Sequence, residues 1–515
     1  MQAKVQPKRQ GLIVILALAA LAYLGFIWRS AFSIAGITYF TLVDDAMVSM
    51  RYAQHLAHGL GLVWNIGQKP VEGFTNPGWM LLMTLLHLLP IPAAKISLGV
   101  MLLSALILLV NVVVVYNLAQ LLQPDARYAP LAAAAIAAFY FPLIFWSLRG
   151  MEVGPLALLI DAALLQMFRS GLTTNLRSRL FFGALLSFAV LVRLDALIAV
   201  FILLAFMALR SADRKSLIMP ITLVVLTTLA ILVFQRLYFG DWLPNTYYQK
   251  MAGTAAWERV HNGLLVFYQH ALWDTALPGI VALAAFAVHK DFRRPELMLL
   301  AVLFAAQCAY SVWVGGDYAE VELDSANRFI TQGMPALITL FSLGAERLLR
   351  NWTLPDELSW RAGMAAGVAV LALAVMSGRP WTAWARDNAP LLKADIRRTR
   401  LGLFLARNTE PQAVIAVHAA GQIPYFSNRT TIDLLGLNDP VVAKGPVTGP
   451  FYPGHDKWNY AYSILQLRPD LVADNWIKLP AFMKDITEYR RLNNGIYVRV
   501  DSTLINREGL SVDYR

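Results

Sequence analysis

The sequence predicts a polytopic α-helical membrane protein of about 11 transmembrane helices, carrying a C-terminal α/β domain outside the bilayer. Three observations predict it. Apolar residues make up 57% of the 515, charged residues 15%, and mean hydropathy is +0.52, whereas ordinary soluble domains carry ~25% charge. That balance excludes a soluble enzyme, a disordered chain and a fibrous repeat. Charge is also distributed unevenly. Residues 379–515 hold 31 charged side chains in 137 positions, a soluble composition, while the first 378 residues hold 46. Finally, apolar runs recur along those 378 residues at lengths near the ~20 needed to span a bilayer. The chain therefore divides into a membrane module, 1–378, with a first outer loop at about 29–93, and a soluble domain, 379–515.

Residues 1–10 are basic and 12–28 almost wholly apolar. A cleaved leader would end on small residues such as Ala31 or Ala35, but Trp28-Arg29 and the many later runs favour a first span with its N-terminus inside. Further runs fall near 94–122, 128–147, 153–168, 180–209, 217–237, 275–288, 296–314, 331–349 and 362–378. Basic residues accumulate in cytoplasmic loops. The markers are Arg169 with Arg177 and Arg179, Arg210 with Arg214 and Lys215, Lys290 with Arg293 and Arg294, and Arg347 with Arg350. Two successive inner loops force 180–209 to cross twice, with its tip at Arg193-Leu194-Asp195. The same reasoning places Arg149–Glu152, 238–274, 315–330 and everything after 379 outside, and lays 77–90 on the membrane.

In the C-terminal domain, 413–426, 430–437 and 494–500 read as strands, alternating with amphipathic stretches such as 395–408. The single cysteine, Cys308, excludes a disulfide framework and a cysteine-ligated metal site. The net charge of +11 resides in loops, with no basic stripe interleaved with aromatics, so nucleic acid is not a partner.

The polar residues of the membrane module collect at the outer ends of its spans: Asp44 and Asp45, Arg149 and Glu152, Arg193 and Asp195, Asn245 to Lys250, and Asp317 to Arg328. Ionisable groups at membrane depth are costly, and so are paired or functional. Arg193 with Asp195 alone reads as a structural ion pair; five clusters on one face point to a polar chamber at the outer surface. Read as a helix, Asp44, Arg51, His55 and His58 fall along one stripe, with two carboxylates at its N-terminal end. An N-cap with a solvated face is the plain alternative. The chemical reading has a carboxylate take the proton of an attacking hydroxyl while cations hold a phosphate leaving group. His55 and His58 lack a third ligand, which favours solvated histidines over a metal pair. The following loop, with Trp64 and Trp79, has neither the Walker nor the dinucleotide spacing.

The ordered segments DDAMVSMRYAQHLAHGLGLVWNIGQKPVEGFTNPGW, RGMEVGPLALL, VRLDAL, GDWLPNTYYQKM, GGDY with NRF, and IDLLGLNDP resemble the polyprenyl-phosphate-dependent glycosyltransferases of the C-type membrane fold (GT-C), in particular the mycobacterial terminal arabinofuranosyltransferase family. The resemblance runs from about residue 40 to 440. It implies an essential aspartate at Asp44, with Asp45 beside it. It also implies site roles for Glu72, Asn76, Glu152, Asn245, Tyr248 and Asp317 at the sugar or acceptor, and for Lys250 and Arg328 beside them. Two departures stand out: the hairpin tip reads Arg-Leu-Asp where relatives read Arg-Pro-Asp, and Glu320, Glu322 and Asp324 lengthen the gap before Arg328. The implied setting is the bacterial cytoplasmic membrane, with the C-terminal domain in the periplasm.

The resulting expectation is transfer of a sugar, arabinofuranose on the nearest resemblance, from a polyprenyl-phosphate donor to a glycan, lipid or protein acceptor. Asp44 would take the acceptor proton, and Arg51, Arg193, Lys250 or Arg328 would hold the lipid phosphate. Other lipid-phosphate hexoses or pentoses suit the same groups. A lipid-linked sugar flippase is the competing class, disfavoured by the absence of an internal repeat. The chemistry needs charge stabilisation more than a cofactor, and ligand spacing does not support a divalent metal.

Overall fold

The computed structural model describes residues 6–170, 175–211, 213–318, 320–350 and 358–513. The chain packs as two compact units. One comprises Met1–Arg29, Met101–Ala230 and Arg259–Pro390; the other comprises Ser30–Val100, Ile231–Glu258 and Leu391–Arg515.

Among the described residues, seven helices are long and apolar enough to cross a membrane: Arg9–Arg29, Ala93–Leu122, Val153–Ser170, Arg214–Phe239, Ala256–Val288, Pro295–Val314 and Gly363–Asp387. An eighth candidate, Ala129–Phe139 with Phe141–Leu148, is bent by 47°. Pro142 near the start of its second half cannot continue the hydrogen-bond ladder, and the freed N–H of Phe141 donates to Ser377 Oγ at 3.0 Å. Three shorter apolar helices, Leu176–Val192, Leu197–Arg210 and Met334–Leu349, occupy the other expected runs. The first two are separated at Arg193–Ala196, where the hairpin tip was expected. Large apolar side chains on the spans, among them Leu21, Trp28, Phe201 and Leu237, are exposed, as lipid-facing residues must be.

One membrane segment differs from expectation. The sequence places 238–274 outside the membrane, yet Ala256–Val288 is one helical span interrupted only by a π-turn at Phe267–Ala271. Its polar positions, such as Glu258, His261 and His270, concealed the continuation. Residues 77–90 contain the helix Pro77–His87, only ~16 Å long at 1.5 Å per residue, which is too short for a ~30 Å core.

The second unit begins with a hairpin the sequence reading lacked: β1 (Phe32–Ile34) pairs with β2 (Ile37–Tyr39) around Ala35-Gly36, both at positive φ. The helix Asp44–Ala57 follows. The C-terminal segment contributes the helix Leu392–Asn408 and a five-stranded sheet of order β4-β3-β5-β7-β6. These strands are β3 (Val414–Val417), β4 (Thr430–Asp433), β5 (Leu471–Val472), β6 (Tyr489–Arg491) and β7 (Tyr497–Arg499). β3 is parallel to both β4 and β5, whereas β7 is antiparallel to β5 and β6. Alternation along β3 feeds two cores. Ile415 and Val417 join Leu401, Leu405 and Ile423 on one face, and Ala416 joins Ile432, Val472 and Trp458 on the other. The stretch 413–426 is a strand only at its start; Gln422–Ser427 is a helix.

Candidate functional site

The second unit carries the residues with the clearest chemical capacity. Asp44 and Asp45 form the first turn of Asp44–Ala57, where the helix dipole favours negative charge. The Asp44 carboxylate accepts the backbone N–H groups of Gly421 at 3.2 Å and Gln422 at 3.0 Å. A Cβ on residue 421 would lie 2.0 Å from the Asp44 carbonyl oxygen, so only glycine fits this approach. Burial raises the Asp44 pKa above the usual carboxylate value; Arg398 and the Gln422 N–H oppose it, Asp45 adds to it and His418 opposes it again. A carboxylate tuned this way is a stronger base at neutral pH.

Three more polar residues lie at the carboxyl ends of the parallel strands, the usual location for ligand groups in such sheets. His418 follows β3, Asp433 ends β4 and Asp474 lies just beyond β5. Asp433 is taken up by its own turn, accepting the N–H groups of Leu435 (3.0 Å), Gly436 (3.1 Å) and Asn438 (2.8 Å). His418 Nδ1 and Asp474 Oδ2 form an ion pair at 2.9 Å. Burial raises the Asp474 pKa, but His418 and two arginines, Arg398 and Arg397, hold it below the usual value. The Trp476 ring lies 5.2 Å from His418 and 5.4 Å from His455, which in turn neighbours Tyr452 at 5.2 Å. Burial depresses the His455 pKa to about 4, with Asp45, Lys250 and His418 all close enough to act on it. Asp44, Asp45, Lys250, Arg398, His418, His455 and Asp474 thus form one electrostatically connected group within this unit.

Other expected site residues of this unit have different tasks. Arg51 does not face an open space: it is buried, and its guanidinium donates to the carbonyls of Trp64 (2.5 Å), Pro424 and Arg429 (2.8 Å) and to Asn65 Oδ1 (3.1 Å). Four protein acceptors leave it a clamp, not a phosphate ligand. Asn245 donates both amide hydrogens to the carbonyls of Gly436 and Leu437 (2.8 and 3.0 Å), and Asn76 accepts from Ser49 Oγ at 2.8 Å. Both are buried, joining segments of the unit instead of facing a sugar. Glu72 is buried, accepts from Gln235 at 3.2 Å and leaves Oε2 without a hydrogen bond among the described residues; burial pushes it up to about 8. Tyr248 stands under the Lys444 ammonium, 4.7 Å from its ring, and Lys250 lies along the loop at Gly454. His55 is not solvated: its ring meets Val63 O at 2.8 Å, and burial lowers its pKa to about 4. Trp64 and Trp79 are likewise buried.

In the membrane unit, Arg193 bridges Glu152 (2.5 Å) and Asp195 (2.6 Å), and Arg328 pairs with Asp317 at 3.0 Å. Arg193 is therefore over-compensated by two carboxylates and poorly suited to a phosphate, and Glu152 has no exposed surface for a sugar. The lengthened loop before Arg328 adds Glu320, which burial and Asp317 raise to about 8; the Glu322 side chain lies outside the described residues. Among the described residues no three His, Cys, Asp or Glu side chains form a metal-ligand group.

Arg398, His455, Asp474 and Trp476 were missed by sequence reasoning. The available signal was positional. Each parallel strand has a polar group at its end or within two residues of it, but β5 has only two residues and is invisible as a strand.

A family model described as a domain of unknown function (DUF8728) matches residues 391–503. No curated protein matches the chain. Among solved structures, the Archaeoglobus fulgidus oligosaccharyltransferase in the apo form superposes with a TM-score of 0.54 at 14% identity, covering 82% of this chain and 64% of that one. The archaeal oligosaccharyltransferase AglB from Archaeoglobus fulgidus, in complex with an inhibitory peptide and a dolichol-phosphate, gives 0.53 at 15%, covering 83% and 64%. ArnT from Cupriavidus metallidurans bound to undecaprenyl phosphate gives 0.51 at 13%, covering 82% and 85%. The chain spans less than two thirds of the archaeal enzymes' length. These likenesses establish the class: a multi-pass membrane protein of GT-C-like fold with a C-terminal sheet domain.

Proposed function

We propose that this protein is a glycosyltransferase that moves a sugar from a polyprenyl-phosphate donor to an acceptor hydroxyl at the outer face of a bacterial cytoplasmic membrane. The observation that carries the reading is Asp44: a half-buried carboxylate of raised pKa at a helix N-terminus, fixed by two backbone N–H groups. Its support is the GT-C-like fold, shared with structures that hold dolichol-phosphate and undecaprenyl phosphate. In the proposed step the acceptor oxygen attacks the anomeric carbon and its proton passes to Asp44. The bond from that carbon to the phosphate oxygen breaks, and the electron pair leaves on the lipid phosphate. Lys250, in the same unit as Asp44, is the cation assigned to stabilise that charge. In this reading residues 1–378 are the membrane module, with a cytoplasmic N-terminus, and 379–515 are extracytoplasmic. Arabinofuranose is the donor sugar proposed first, on the sequence resemblance.

The test is incubation of purified protein with a panel of synthetic polyprenyl-phosphate sugars, measuring released lipid phosphate. Release that depends on one sugar and on an acceptor, and disappears in Asp44→Asn, is expected. No release from any donor, together with accumulation of a lipid-linked precursor in a deletion strain, would replace the enzyme by a flippase. Outside labelling of cysteines placed at 44 and 450, in a Cys308→Ser background, tests the orientation.

A further inference from the structure

We infer that the helix Leu392–Asn408 lays a stripe of basic side chains on the anionic phospholipid headgroups of the membrane that carries the protein. The inference is independent of the proposed glycosyl transfer and of which leaflet the helix meets.

Helix geometry sorts the charges of this segment. Leu392, Asp395, Thr399, Gly402 and Leu405 turn inward and are buried, and Leu401 and Leu405 join Ile415 and Val417 of β3 in a core. At about 100° per residue, Lys393, Arg397, Arg400 and Arg407 fall within about 80° of one another on the opposite side. All four are exposed. The fifth cation of the helix, Arg398, turns away from them and acts on Asp44 and Asp474. The acidic residue of the helix, Asp395, is buried and accepts from Gln422 Nε2 at 2.6 Å, so it answers none of the exposed cations.

Among the described residues Lys393, Arg400 and Arg407 form no ion pair, and Arg397 acts on Asp474 only from beyond pairing distance. Soluble surfaces ordinarily intersperse charges of both signs, and like charges three and four positions apart on a helix repel. Four cations along a line of ~21 Å therefore keep a self-repulsion that an external polyanion relieves.

Two features choose the polyanion. Six residues separate Lys393 from Asp387, where the last helix able to cross the membrane ends, and six residues reach ~20 Å at full stretch. The stripe also lacks an exposed aromatic ring for stacking on a sugar or a base: Phe404, which shares its face, packs against the core. Point charges in a row suit a layer of phosphodiesters, to which each basic side chain adds about fivefold in binding.

The test uses full-length protein in nanodiscs of phosphatidylcholine with or without phosphatidylglycerol, with arginines modified by phenylglyoxal and followed by peptide mass spectrometry. Arg397, Arg400 and Arg407 should react about fivefold more slowly in the anionic discs. The difference should vanish at about 1 M salt, where the Debye length shrinks to ~3 Å. Arg490, exposed on the edge strand β6, is the control and should react alike in both discs. Arg400→Gln combined with Arg407→Gln, both at exposed positions, should remove the protection of Arg397. Equal rates in the two discs, equal slowing of Arg490, slowing that survives the salt, unchanged protection of Arg397 in the double variant, or slowing by a soluble acidic polysaccharide but not by phosphatidylglycerol would overturn the inference.

Discussion

Replacing Arg51 by Lys and, separately, by Met separates a clamp from a phosphate ligand. The Arg51 guanidinium reaches four acceptors, and three of them keep a second donor if it is removed. Asn65 Oδ1 also accepts from Thr431 N, the Arg429 carbonyl from Thr431 Oγ1, and the Pro424 carbonyl from Asn428 N. Only the Trp64 carbonyl is left without another donor among the hydrogen bonds described. Met therefore orphans one buried acceptor, ~1–3 kcal/mol, while relieving a buried charge whose pKa burial already lowers to about 9. Lys keeps that charge but, as a compact ammonium, cannot span four divergent acceptors, and an under-compensated buried charge costs ~3–5 kcal/mol. At ~2–4 °C per kcal/mol for a unit of this size, Lys should lower the melting temperature by about 6–20 °C and Met by less. Thermal melting of the purified protein and its affinity for a polyprenyl phosphate are the two assays. A phosphate ligand predicts the opposite order, with Lys retaining stability and donor binding and Met losing binding alone; that result would refute the clamp.

Asp44→Asn should lower turnover by ~10²–10⁴ as a lost general base with donor affinity retained, and Asp45→Asn by less; equal effects would move the base elsewhere. Gly421→Ala places a Cβ 2.0 Å from the Asp44 carbonyl oxygen, so it should impair both melting temperature and turnover, whereas unchanged values would show that the segment shifts freely. Glu72 titrates at about 8 folded against an ordinary value of 4.5, so between those values the folded state holds more protons and stability falls as pH rises. The loss, on the order of 3–5 kcal/mol, is complete above pH 8, and Glu72→Gln should flatten a melting curve taken from pH 5 to 9. His418→Gln should reduce turnover without changing donor affinity if the His418–Asp474 pair tunes Asp44, and Asp474→Asn should do the same.

The membrane body was legible because its signal is local. A run such as 94–122 needs no partner to declare itself, and Arg193 with Asp195 interrupts a 30-residue apolar stretch at the point where the helix breaks. The exception, Ala256–Val288, is informative: a π-turn and several polar residues made half of one span look like loop. In the second unit, the helix from Asp44 was legible from its spacing, but the task of Arg51 was not. Two of its acceptors, the Pro424 and Arg429 carbonyls, lie 373 and 378 positions away. Backbone carbonyls leave no mark in a residue pattern, so a buried clamp and an exposed ligand read alike. Asp474 was missed for a related reason: β5, which positions it, gains its identity from pairing with β3 and β7 and not from its own two residues.

The same distance in sequence explains what the C-terminal segment contributes. Asp44 begins the helix Asp44–Ala57, yet both N–H groups on its carboxylate come from residues 421 and 422, and Arg398 and His418 are the cations that act on it. These groups act against burial: N–H donors and cations favour the ionised carboxylate, while desolvation and Asp45 favour the protonated one. The basicity of Asp44 is therefore a balance in which burial and Asp45 are opposed by groups that all lie beyond residue 391. A segment that merely covered the loop would require no glycine at 421, since contact through side chains tolerates a Cβ. The approach of the backbone to Asp44 does not. If Asp44 takes the acceptor proton, its protonation equilibrium and its orientation are properties of the C-terminal segment as much as of the loop that carries it.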